Sequence, residues 1–177
     1  MAKAKPQKLL IVDGYNVLRS GDYYQDVRER MDDFGDEAFN AAREALIDDV
    51  ALFAGNEYQA VVVFDGAGNR YSDGQPTLVG RVEVIFSAGG VLADHVIEQR
   101  VKHAVSAGRE VLVVTSDATT QWTVMGNYVS RMSAAGFYDE LRSLAAERRS
   151  ELPVAAKNTL GERLPPEVLE KLRELFD

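Results

Sequence analysis

"LLIVDGYNVL", residues 9–18, decides the fold. Leu9, Leu10, Ile11 and Val12 run without a polar break into Asp13, and Gly14, Tyr15 and Asn16 follow. A short continuous apolar run is the mark of a strand covered on both faces, the habit of parallel sheets. In open sheets of that kind the ligand site lies beyond the carboxyl ends of the strands, which is where Asp13 stands.

The pattern recurs along the chain. "AVVVF", residues 60–64, is a second buried strand and ends on Asp65. "VEVIF", residues 82–86, is a third, and Asp94 follows at the start of a helix over 93–107. "EVLVVTS", residues 110–116, is a fourth, and Asp117 comes next. Between the first two strands, Ala38, Ala42, Ala45, Leu46, Val50 and Phe53 recur at helical spacing until Gly55-Asn56 stops the helix. Ile97, Val101, Ala104 and Val105 face inward on the helix over 93–107, which Gly108 closes. Residues 66–81 carry turn signals and little periodicity, which predicts a loop. Further helices are predicted from about Thr119, over roughly 139–149, and from Pro165-Pro166 through Phe176. Strands alternating with helices argue an α/β fold with a mostly parallel sheet. Residues 1–150 form the expected domain, and 151–177 a linker and an amphipathic helix packed on it.

Bulk composition narrows the chemistry. With 177 residues, 46% hydrophobic and 27% charged, the chain suits one globular domain with a short appendage. It contains no cysteine, so disulfides, thiolate metal sites and a cysteine nucleophile are excluded. No signal-peptide run and no apolar stretch of about 20 residues is present, so a cytoplasmic protein without a membrane partner is expected. The net charge of −8 is concentrated: residues 22–49 hold ten acids and three arginines. That segment reads as a solvated helix face. The remainder is close to neutral and has no long basic run, so tight binding to a bare polyanion is not indicated.

Asp13, Asp65, Asp94 and Asp117 thus reach one sheet edge from four strands. Each has an innocent reading alone: Asp94 and Asp117 as helix N-caps, Asp13 and Asp65 as halves of Asp-Gly turns. Four converging carboxylates would repel one another, and a hard divalent cation removes that problem. Glu98, one turn after Asp94, either joins the site or pairs with Lys102. Other chemistries lack their motifs. "GAGNRY" has no third glycine, no Walker A or G-x-S-x-G motif occurs, and His95 and His103 are too far apart for a zinc pair. A carboxylate site for Mg²⁺ or Mn²⁺ suits phosphoryl chemistry, with phosphodiester hydrolysis first and phosphomonoesters second.

"VDGYN", "FDG", "ADHVIE" and "TSD", in that order, resemble the NYN domain of YacP-like endoribonucleases, within the wider PIN-like nuclease group. The likeness runs over roughly residues 8–149 and includes Gln121 and "RMS" at 131–133. It implies a PIN-like α/β/α sandwich that cuts single-stranded RNA with Mg²⁺ or Mn²⁺. Asp13, Asp65, Asp94 and Asp117 fall on the family's acidic cluster, which makes them the expected catalytic and metal-holding residues. Asn16 falls on the asparagine of the signature, and Ser116 on the serine before the last acid, as supporting residues. The family includes an enzyme that cuts messenger RNA on the ribosome, which makes the ribosome an expected partner. Two departures stand out. The family carries an acid and a threonine where this chain has Val91 and Leu92, and the glutamate after the serine of the last motif is absent.

RNA-binding side chains are sought among aromatic and arginine residues near these acids. Tyr15, Arg70, Arg81 and Arg131 are the substrate-binding candidates, with Tyr71, Trp122 and Tyr128 as further aromatics. Two rival functions remain: a non-catalytic RNA- or ribosome-binding module, and a nuclease acting on DNA flaps. The flap nuclease would need arch or helix-hairpin-helix elements, and none is found in the sequence.

Overall fold

The computed structural model describes residues 6–20, 22–29, 36–66, 72–117 and 127–151. The first strand, β1 (Lys8–Asp13), leads directly into α1 (Gly14–Ser20), then α2 (Asp22–Glu29) and α3 (Asp36–Ala54). Then come β2 (Tyr58–Phe64), β3 (Pro76–Val79), β4 (Val82–Phe86) and α4 (Ala93–Ser106). β5 (Val111–Val114), β6 (Val129–Met132) and α5 (Ala134–Glu151) complete the described elements. The chain divides into two compact units, 1–143 and 144–177; of the second, only the end of α5 is described. The predicted helices from Thr119 to residue 126 and after Pro165, and the packing of the segment beyond residue 151, lie outside the described residues.

Six strands form one sheet in the order β3-β4-β2-β1-β5-β6. All neighbours are parallel except β3, which runs antiparallel to β4. This is the mostly parallel α/β sheet, flanked by helices, of a PIN-like sandwich. The apolar runs behave as full burial on two faces requires. Leu10, Val12, Val62, Phe64, Val84 and Val114 point to one core with α1, α2, α3 and α5. Leu9, Ile11, Val61, Val63, Ile85 and Val113 point to the other, under Ile97 and Val101 of α4. An ion pair from Arg100 to Glu83, 2.6 Å, ties α4 to β4.

Two expectations need correction. Residues 66–81 are not all loop, because Pro76–Val79 form the edge strand β3. Its four residues are all exposed, so no alternation marks it, and Gly80 at φ 59° turns it into β4. Residues 129–132, for which the sequence predicts no element, are β6, also an edge strand, with Ser130 and Arg131 exposed. The helix expected at 139–149 starts earlier, at Ala134.

The acidic segment is helical in α2 and α3, and not all of it is a solvated face. Tyr24 is fully buried and donates its hydroxyl to Asp49, 2.8 Å. Burial raises the Asp49 carboxyl, and the Tyr24 hydroxyl opposes that shift. Asp26, Glu44 and Asp48 are exposed, as expected.

Candidate active site

The chain runs from β1 through α1–α3 to β2 on one side of β1, then to β4, and crosses by α4 to β5 on the other side. The strand order therefore reverses between β1 and β5, which opens a crevice at their carboxyl ends. Asp13 closes β1 and is only 8% exposed. Its Oδ1 accepts the Asn16 N–H, 3.2 Å, so it caps α1, and its Oδ2 accepts the Thr115 hydroxyl, 3.1 Å. Thr115 Oγ1 in turn accepts the Asp117 N–H, 3.1 Å. A buried hydroxyl thus links the ends of β1 and β5.

Burial pushes the Asp13 carboxyl above its ordinary range. The two hydrogen bonds pull it down, and the like charges of Asp94 and Asp117 push it up again. Asp13, Asp65, Asp94 and Asp117 all line one cavity of about 360 Å³. Among the described residues, no group of three acidic or histidine side chains closes to the spacing that holds a metal ion. The donor set nonetheless matches a hard divalent cation in kind, since all four side chains offer carboxylate oxygens.

The innocent readings fare differently at each position. Asp94 is not the cap of α4: Leu92 is the N-cap residue, without a side-chain bond, and Asp94 lies in the first turn. Asp13 does cap α1, and it also lines the cavity. Neither glycine of the two Asp-Gly pairs needs a positive φ. They are required by close approach instead. A Cβ on Gly14 would stand 2.3 Å from the Phe64 ring, and one on Gly66 1.9 Å from the Ser87 carbonyl oxygen. Gly66 N–H donates to Ser87 Oγ, 2.9 Å, which fixes the chain just after Asp65.

The supporting candidates are placed as follows. Asn16 lines the cavity and its Oδ1 accepts the Ser116 N–H, 2.7 Å. Ser116 Oγ accepts the Ala134 N–H, 3.0 Å, so the serine ties the end of β5 to the start of α5. Glu98 pairs with Lys102, 2.6 Å, and that bond lowers its pKa; the pairing reading describes it.

Of the substrate candidates, Tyr15 lines the cavity. Arg81 stands at the other end of the sheet, before β4, with its guanidinium 3.4 Å from Asn56 Oδ1. Parallel strands separate that end from the aspartates. Arg131 lies exposed on β6 opposite Val113. Tyr128 is at the far end as well, where its carbonyl accepts the Val111 N–H. Arg70, Tyr71 and Trp122 lie outside the described residues.

Three residues escaped the sequence reading. Thr115 was passed over for Ser116, although strand alternation turns it toward Asp13. Arg19 and Ser20 both line the cavity. Arg19 follows Tyr15 by four residues, a signal visible only once 14–20 is known to be helix.

The profile of the YacP-like NYN domain matches residues 10–177. The chain is 32% identical over 146 residues to the protein YacP of Bacillus subtilis (strain 168), covering 81% of this chain and 79% of that one. It is similar to two crystal structures of Rae1 (YacP) from Bacillus subtilis. For one, a mutant, the TM-score is 0.63 at 30% identity, with 84% of this chain and 87% of the other covered. For the second, the TM-score is 0.60 at 29% identity, with 96% and 94% covered.

Proposed function

The chain belongs to the YacP-like NYN domain family, and from that premise we propose that it is a divalent-metal-dependent endoribonuclease that hydrolyses phosphodiester bonds of single-stranded RNA. The observation that supports this reading most is the gathering of Asp13, Asp65, Asp94 and Asp117 around one cavity at the strand reversal. Mg²⁺ or Mn²⁺, held by these four carboxylates, would lower the pKa of the attacking water and neutralise charge at the phosphate. The protein's own part is orientation. Thr115 and the Asn16 N–H fix both oxygens of Asp13. Asn16 holds the β5 end against α1, so Asp117 keeps its distance from Asp13. Leu92 and Ala93 line the cavity beside Asp94.

The net charge of −8 argues that free RNA binds weakly, and a translating ribosome is the partner that presents the strand. The rival reading, a non-catalytic RNA- or ribosome-binding module, draws on Val91 and Leu92, which stand where the family has an acid and a threonine. One experiment separates the two. Free and ribosome-engaged messenger RNA are incubated at equal concentration and salt with Mg²⁺ or Mn²⁺, using Asp13→Asn as control. Cuts at defined positions in the engaged RNA, absent with Asp13→Asn, are the expected result. Equally fast and specific cutting of free RNA removes the ribosome from the proposal. Cutting of neither, by protein shown to bind Mn²⁺, refutes the nuclease.

A further inference from the structure

Among the described residues, the cavity wall carries four carboxylates and one cation, Arg19. A phosphodiester entering such a cavity meets strong repulsion on the faces that a divalent ion does not cover. The state of Arg19 bears on this directly. Its side chain is exposed, and no described carboxylate forms an ion pair with it. Its guanidinium lies instead over the Tyr15 ring, 5.7 Å from the centroid. A π-face orients an arginine without using up its N–H donors.

Tyr15 is itself held. Its ring lies 5.2 Å from that of Phe64, and its hydroxyl accepts from Arg43 Nη1, 3.3 Å. Phe64 is fully buried and stacks on Phe86 at 5.2 Å. Arg43 lies over that same Phe86 ring, 5.6 Å away. A continuous line of packed groups therefore runs from the core to the guanidinium at the cavity wall.

The geometry points to Arg19 as the residue that seats a phosphate of the RNA strand in the carboxylate cavity, held ready by Tyr15. The inference rests on the nuclease reading for the identity of the phosphate's owner. The planar fork of N–H donors matches two non-bridging phosphate oxygens, and prior orientation reduces the ordering that binding requires. A counterion serving only to offset the acids would sit in ion pairs with them, and this arginine does not.

The test uses the full chain in the Asp13→Asn background, so that RNA is not cut. Binding of a labelled single-stranded RNA dodecamer is followed from about 50 to about 200 mM salt. Arg19→Ala weakens binding by about tenfold. It also makes the slope of log K against log salt shallower by about 0.7, the value for one lost phosphate contact on a single strand. Arg19→Lys retains the slope with weaker binding. Tyr15→Leu weakens binding and leaves the slope unchanged, because the charge remains and only its orientation is lost. The melting temperature of Arg19→Ala stays that of its parent. An unchanged slope and affinity in Arg19→Ala, or a fall in melting temperature with the slope intact, overturns the inference. RNA cleavage by wild type together with an unchanged slope overturns this inference alone. Loss of slope in Arg19→Ala with no cleavage of either free or ribosome-engaged RNA by wild type overturns the nuclease alone. Absence of any binding of the dodecamer by the parent overturns this inference.

Discussion

Replacing Gly14 by alanine sets a methyl group 2.3 Å from Phe64 Cε1 and 2.4 Å from Cδ1. Carbon atoms rest at about 3.5–4.0 Å, so one group must move by about 1 Å or more. The ring has nowhere to go. It is fully buried, stacked on Phe86 and in contact with Tyr15, each at 5.2 Å. Overpacking of this kind costs about 1–3 kcal/mol. The better helix propensity of alanine offsets little of that, because Gly14 is the first residue of α1. For a chain of this size each kcal/mol lowers the melting temperature by ~2–4 °C, so a fall of roughly 2–12 °C is expected. The displaced ring adjoins Asp65, so RNA cleavage falls too. The assay is thermal melting of Gly14→Ala in wild type and in a Phe64→Leu background. In the second background the shorter side chain vacates the contested space, and most of the loss disappears. A melting temperature within about 1 °C of wild type, or an equal loss in both backgrounds, refutes the argument that close approach dictates this glycine.

Two other predictions concern the acids and the start of α4. Burial first, and then Asp94 and Asp117, raise the Asp13 carboxyl. Stability from such a group is complete below the unfolded pKa, about 3.9, and lost as pH rises through the folded one. Asp13→Asn, whose amide oxygen still caps α1, therefore melts above wild type in metal-free buffer at about pH 7, and the gap closes toward about pH 4. Mn²⁺ then raises wild type and leaves the variant where it was; a metal-free variant that melts lower at neutral pH contradicts the repulsion. Leu92→Thr supplies the missing side-chain cap of α4 and gains about 1 kcal/mol, or ~2–4 °C in melting temperature. No gain in a melting curve means that the α4 N-terminus is already satisfied.

The sequence by itself determined the sheet and the direction of its strands. Runs such as "LLIV" and "AVVV" are apolar at every position, and only a strand covered on both faces can bury all of them. The parallel order then put Asp13, Asp65, Asp94 and Asp117 at one edge, because each stands just beyond a strand that ends there. Edge strands were illegible for the same reason turned round: Pro76–Val79 expose all of their side chains and Val129–Met132 bury none fully, so no burial pattern records them. The finer parts of the site depended on contacts between residues far apart in the chain. Thr115 reaches Asp13 across 102 positions, and Asn16 reaches Ser116 across 100. Arg81, a phosphate-contact candidate by sequence, stands a strand's length from the acids in space. Gly14 and Gly66 looked like turn residues, and only the packed ring of Phe64 and the carbonyl of Ser87 decide that a Cβ has no room. Periodicity is a local quantity and can be read along a chain, whereas steric exclusion and hydrogen bonding between strand ends exist only after the sheet has brought those ends together.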